Sequence, residues 1–106
     1  MVPSLSVHNL KRLYGQHADF ILIDVREPQE LAICQLPQAT SIPLQSLPSQ
    51  LINLPVDKPI VVSCHHGRRS AQAVQLLISQ GFERVLNLTG GIDAWAQEID
   101  PTVARY

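Results

Sequence analysis

Cys64 stands at a junction: the apolar run Ile60 to Val62 precedes it by one serine, and C-H-H-G-R-R, Cys64 to Arg69, leads through Ser70 into the amphipathic stretch Ala71 to Gln80. A strand, a tight loop and a helix start are expected in that order. The sulfur then faces backbone N–H groups at the positive end of a helix, a setting that stabilises a thiolate or a bound anion. Gly67 permits positive φ, so successive N–H groups of the loop can point inward as a nest around an anion. Arg68 and Arg69 add fixed positive charge suited to bidentate contact with carboxylates or oxyanions. Ser70 is placed either to bond the sulfur or to cap the helix.

Thiolate activation alone accomplishes little. For any thiol, lowering the pKa from about 8.5 to about 6 raises the thiolate fraction at pH 7 about thirtyfold, while a Brønsted slope near 0.45 removes about thirteenfold in nucleophilicity. The ring of N–H groups therefore fits binding of an anionic substrate, and stabilisation of a charged sulfur adduct on Cys64, better than it fits pKa depression. His65 and His66 read as exposed loop side chains: adjacent residues tend to point apart, and no second Cys/His pair stands at ligand spacing. No metal or organic cofactor is expected.

Alternating strands and helices must position this loop. Leu5 to Ser6 reads as a short edge strand, and Ser6 caps a helix over Val7 to Tyr14 that Gly15 ends. Phe20 to Val25 is an apolar strand closed by Asp24, of the kind covered on both faces of a parallel sheet. Pro28 opens a short helix to Ile33, Cys34 to Ala39 is a loop, and Thr40 to Ile42 is a strand. Leucines at 44, 47, 51 and 54 have helical spacing despite Pro48. Gly81 ends the helix after the loop, Arg84 to Leu88 is a strand, and Ile92 to Ile99 is a last helix behind Gly90 and Gly91 with Ala94, Trp95 and Ile99 inward. The pattern predicts an α/β three-layer sandwich, a mainly parallel five-stranded sheet with helices on both faces. Sites in such sheets lie at the carboxyl ends of strands, where Cys64, Asp24 with Arg26, and Thr89 with Gly90 would converge.

Composition narrows the function. With 106 residues the chain is expected to be one domain, 1–106, able to fold without disulfide or metal. Apolar residues at 45%, charged residues at 16% and a net charge of −1 argue against disorder and against a basic nucleic-acid face. No apolar run reaches the roughly 18 residues of a membrane span, so a cytoplasmic monomer without membrane contact is expected. Cys34 and Cys64 are expected to be free thiols, with Cys34 either a packed small residue or a second, resolving thiol.

I-D-V-R-E-P-Q-E (Ile23 to Glu30), A-T-S-I-P-L (Ala39 to Leu44), V-V-S-C-H-H-G-R-R-S-A-Q-A (Val61 to Ala73) and L-T-G-G-I-D-A-W (Leu88 to Trp95) resemble, in order, the signature segments of the rhodanese family. That resemblance implies the rhodanese fold and a sulfurtransferase that carries sulfur as a persulfide on Cys64. It implies that the amides of His65, His66, Gly67, Arg68, Arg69 and Ser70 hold the substrate, that Arg69 braces the loop or contacts the substrate, and that Asp24 and Arg26 line or buttress the pocket. It further implies a small sulfur-donor anion such as thiosulfate, or a protein persulfide, and an acceptor thiol or protein. Phosphatases and arsenate reductases of this fold have a loop one residue longer. Where the family reads G-H-I-P-G-A, this chain has Cys34 to Ala39, C-Q-L-P-Q-A. That variant and the stretch I-D-P-T-V-A-R-Y are similar to rhodanese domains fused behind adenylating enzymes for ubiquitin-like sulfur carriers. A binding module or a redox sensor on the same fold are the rival readings.

Overall fold

The computed structural model describes residues 2–106. Five strands form one sheet: β1 (Ser4–Leu5), β2 (Ile21–Asp24), β3 (Thr40–Ser41), β4 (Ile60–Ser63) and β5 (Val85–Leu88), in the order β1-β5-β4-β2-β3. Every pairing is parallel, as buried apolar strands linked by crossovers require. The register sets Asp24 beside Ser63 and Val62 beside Asn87, so the carboxyl ends of β2, β4 and β5 form one level edge.

Helices α1 (Val7–Gly15), α2 (Pro28–Leu31), α3 (Leu47–Gln50), α4 (Arg68–Ser79) and α5 (Gly91–Glu98) connect the strands. Alternation along the strands divides the core. Ile23, Ile60, Val62 and Cys64 join Ala73, Val74 and Leu77 of α4 on one face, while Leu22, Val61 and Leu88 join Leu10 of α1 and Ile92 and Trp95 of α5 on the other. Cys64 continues the period-two series of β4, which turns its thiol toward α4. Ser6 caps α1 as expected, accepting from the Asn9 amide at 3.1 Å.

The helix expected over residues 44–54 is a correction. The segment is a 3-10 turn (Leu44–Ser46), the single turn α3, and another 3-10 turn (Leu51–Asn53). Pro48 lacks an N–H and its ring excludes a continuous helix, so it sits in the first turn of α3. The inward leucines survive this: Leu47 is fully buried, and Leu44, Leu51 and Leu54 pack on the same core. Burial worth about 1.5–3 kcal/mol per large aliphatic side chain outweighs the few hydrogen bonds lost.

Helix α4 also begins earlier than its apolar pattern, at Arg68 rather than Ala71, with Gly67 at its N-cap in the left-handed region (φ 102°). Ser70 is therefore inside the helix, not its cap.

Candidate active site

Carbonyls and amides of the Cys64 loop are sorted by two helices. The first turn of α5 donates outward from behind: the Ile92 amide to Cys64 O at 2.9 Å and the Asp93 amide to His65 O at 3.1 Å. With those carbonyls held away, the loop is free to turn an amide toward the sulfur. Gly67 N–H donates to Cys64 Sγ at 3.0 Å. The amides of Arg68, Arg69 and Ser70 belong to the first turn of α4, where no intrahelical acceptor exists. Two glycines make the fit possible. A Cβ on Gly91 would lie 2.6 Å from His65 O and closer still to Cys64 O. One on Gly67 would press on Gly90 N at 3.3 Å, in addition to the strain of its φ.

Asn87, on β5, is a site residue that the sequence did not disclose. Its Nδ2 donates to Gly67 O at 3.1 Å, which fixes the amide orientation and aims Oδ1 at the Ser70 hydroxyl. Ser70 Oγ lies 3.3 Å from Cys64 Sγ. With its only proton directed to Asn87, that hydroxyl meets a thiol as an acceptor and meets a thiolate only after the proton swings to sulfur.

Asp24 and Arg26 lie beneath the loop rather than in its mouth. Both side chains are fully buried, and Arg26 Nη2 reaches Asp24 Oδ2 at 2.7 Å while Nε reaches both carboxylate oxygens at 3.0 Å. Arg26 also donates to Cys34 O at 2.7 Å and Glu30 O at 3.3 Å. Glu30, in α2, makes a fork with Arg69, with Nη2 to Oε2 at 2.8 Å and Nη1 to Oε1. Arg69 thus braces the loop, whereas Arg68 has no ion pair among the described residues and lines the pocket as an open positive charge. Thr89 is exposed and its amide bonds Leu5 O, so the expectation that it completes the pocket is not met.

The Arg69 guanidinium, helped by the Glu27 N–H and the Tyr106 hydroxyl and opposed by burial, holds the Glu30 carboxyl down at about 2, below its usual 4.5. A carboxylate depressed in the folded state stabilises fully above its unfolded value and loses that contribution as the pH falls through its folded one. The unfolding midpoint is therefore expected to fall between pH 4.5 and about 2, and Glu30→Gln to flatten that fall. Thermal melts across the window check this; equal slopes in the two proteins would contradict it.

His65 and His66 do not point apart as expected. Their ring centroids are 3.8 Å apart, and Tyr106 stacks on the other side of His65 at 3.8 Å and 4°. His66 is exposed, but His65 is half-buried, and burial, with the neighbouring His66, holds its imidazole below the ordinary value. His65, His66 and Asp93 offer ligand atoms within 4.8 Å of one another. Asp93 is committed elsewhere, to Arg105 Nε at 3.0 Å and Gln97 Nε2 at 2.8 Å, and stands 3.7 Å from His66 Nε2, so its carboxylate serves as an ion-pair partner on the rim rather than as a metal ligand.

Cys64, His65, His66, Arg68 and Arg69 line a pocket of about 380 Å³. A larger hollow of about 770 Å³ lies between the end of α1 and α5, walled by Tyr14, Phe20, Trp95 and Ile99, and includes no cysteine. Both cysteines are free, and Cys34 packs half-buried in the core cluster opposite to that of Cys64. Gln38 takes φ 60° at the position where the related motif has glycine.

A family model described as the rhodanese-like domain matches residues 6–98. A sulfurtransferase of Allochromatium vinosum is 38% identical over 104 residues, covering 98% of this chain and 97% of that protein. Among solved structures, reduced Bacillus anthracis CoADR-RHD superposes with a TM-score of 0.86 at 32% identity over 99% of this chain, which spans only 18% of that longer one. The human single-domain sulfurtransferase superposes with a TM-score of 0.82 at 27% identity, covering 92% of this chain and 98% of that one. With a buried cysteine cradled at the carboxyl edge of a five-stranded parallel sheet, and with that match running through nearly all its elements, the chain belongs to the rhodanese-like domain family.

Proposed function

We propose that the protein is a sulfurtransferase that moves sulfane sulfur through a persulfide on Cys64. The Cys64 thiolate attacks the outer sulfur of a small donor anion such as thiosulfate. A new S–S bond forms, the donor's S–S bond breaks, and sulfite leaves with the electron pair. An acceptor nucleophile, a small thiol, cyanide or a cysteine of an acceptor protein, then attacks the outer sulfur of the persulfide and releases the Cys64 thiolate. A protein persulfide serves equally as donor, with a protein thiolate as the leaving group. The chemistry calls for no metal or cofactor.

The observation that carries this reading is the donor ring. Gly67 N–H sits 3.0 Å from Sγ, and the first-turn amides of α4 complete an electropositive cup for a charged sulfur adduct. The open charge of Arg68 at the mouth suits an anionic donor. The pocket is sized for a small sulfur oxyanion and a nucleophile approaching it.

Mass spectrometry after incubation with thiosulfate tests the proposal. A one-sulfur adduct on the peptide containing Cys64, removed by cyanide with recovery of the free thiol, is the expected result. Protein that stays unmodified under conditions where its thiol reacts with an alkylating agent would leave a binding module as the better reading.

A further inference from the structure

Tyr106 makes more contacts to the active-site machinery than any spacing in the sequence foreshadows. Its ring lies flat on His65, and its hydroxyl donates to Glu30 Oε2 at 2.7 Å while accepting from Arg26 Nη1 at 3.0 Å. Glu30 Oε2 is the same oxygen that takes Arg69 Nη2. The hydroxyl thus ties a partly exposed pair, Glu30 with Arg69, to the fully buried Arg26 and Asp24. Arg105, one residue earlier, anchors on Asp93, whose amide holds His65 O.

The geometry points to Tyr106 as a positioning residue for sulfur transfer: through Glu30 it sets the Arg69 guanidinium, and through His65 it sets one wall of the pocket above Cys64. This rests on the sulfurtransferase reading for its kinetic consequence and on the contacts alone for its structural one. Burial keeps the Tyr106 phenol high, at about 12, so it remains a hydrogen-bond donor through the neutral range. Without the hydroxyl, the Glu30 carboxylate keeps Arg69 but loses its tie to Arg26, which then reaches Glu30 only at the backbone carbonyl. Arg69 then samples more orientations, which weakens capture of an anionic donor more than the chemical step.

The test compares wild type, Tyr106→Phe and Tyr106→Ala. For Tyr106→Phe, the KM for thiosulfate is expected to rise about threefold to tenfold, the worth of one hydrogen bond, with kcat changed less than about twofold. Tyr106→Ala, which removes the stack as well, should raise KM further and shift the His65 ring resonances, which Tyr106→Phe leaves in place. Nitrogen-15 spectra of the Arg69 guanidinium should show a single ordered state in wild type and averaging in both variants. Unchanged KM and unchanged Arg69 signals in Tyr106→Phe would overturn the inference, as would a fall in kcat at constant KM. Wild-type protein that fails to turn over thiosulfate would count against the functional reading alone, and the Arg69 spectra then decide the role of Tyr106.

Discussion

Replacing Cys64 with serine is expected to lower thiosulfate-to-cyanide sulfur transfer by about a thousandfold or more, with the fold intact. Serine is nearly the size of cysteine, and its Oγ can still accept the Gly67 N–H that now reaches Sγ. Folding contacts therefore change little. A hydroxyl, however, is hardly ionised at neutral pH and cannot hold a sulfane sulfur, so neither half-reaction has a carrier. The assay should be run beside a thermal melt, because a loss of rate with an unaltered melting temperature is the signature of missing chemistry. Turnover at the wild-type rate in Cys64→Ser would sink the persulfide mechanism.

The largest effect on stability is expected from Asp24→Asn. Arg26 is completely enclosed and takes Asp24 on its Nε and Nη2 atoms, with the Arg26 backbone N–H adding a bond to Oδ1 at 3.0 Å. Neutralising the carboxylate leaves a guanidinium without countercharge in the interior, at a cost of about 3–5 kcal/mol. Against the roughly 5–15 kcal/mol that holds a small domain together, that is a large share. Urea denaturation measures it as a lower midpoint at unchanged slope. Arg26→Met should be harmful as well, because Cys34 O and the Tyr106 hydroxyl lose their donor. Combining Asp24→Asn with Arg26→Met should cost less than the two separate losses added together, because no unpaired charge then remains. Single variants within about 0.5 kcal/mol of wild type would show that the pair matters little, since that is the usual range for surface substitutions.

The strands were legible because each buried strand is an apolar run with neighbours on both faces. Ile21 to Asp24 and Ile60 to Ser63 could hardly sit elsewhere than in the middle of a parallel sheet. The nucleophilic loop was legible because its parts are contiguous. Its surroundings are not: Asn87 reaches Ser70 across 17 positions, Glu30 reaches Arg69 across 39, and Tyr106 reaches Arg26 across 80. Only the β1-β5-β4-β2-β3 strand order brings these together, and no local pattern encodes it. Two errors have local causes. The polar Arg68, Arg69 and Ser70 hide the start of α4, since apolar periodicity begins at Ala71 while the hydrogen bonding begins at the Gly67 carbonyl. Residues 44–54 have helical leucine spacing, yet spacing reports which side chains go inward and not whether the backbone between them is a regular helix.

The grip of α5 on the backs of Cys64 and His65 also orders events during synthesis. A ribosome that has delivered the nucleophile and all of α4 has still to deliver β5, which must insert between β1 and β4, and the glycine pair that opens α5. Until those last elements dock, the carbonyls of Cys64 and His65 have no fixed partners and the donor ring has no fixed shape. On the proposed function, the nascent chain thus lacks the finished donor ring, and its sulfur chemistry switches on only when β5 and α5 have folded behind the loop.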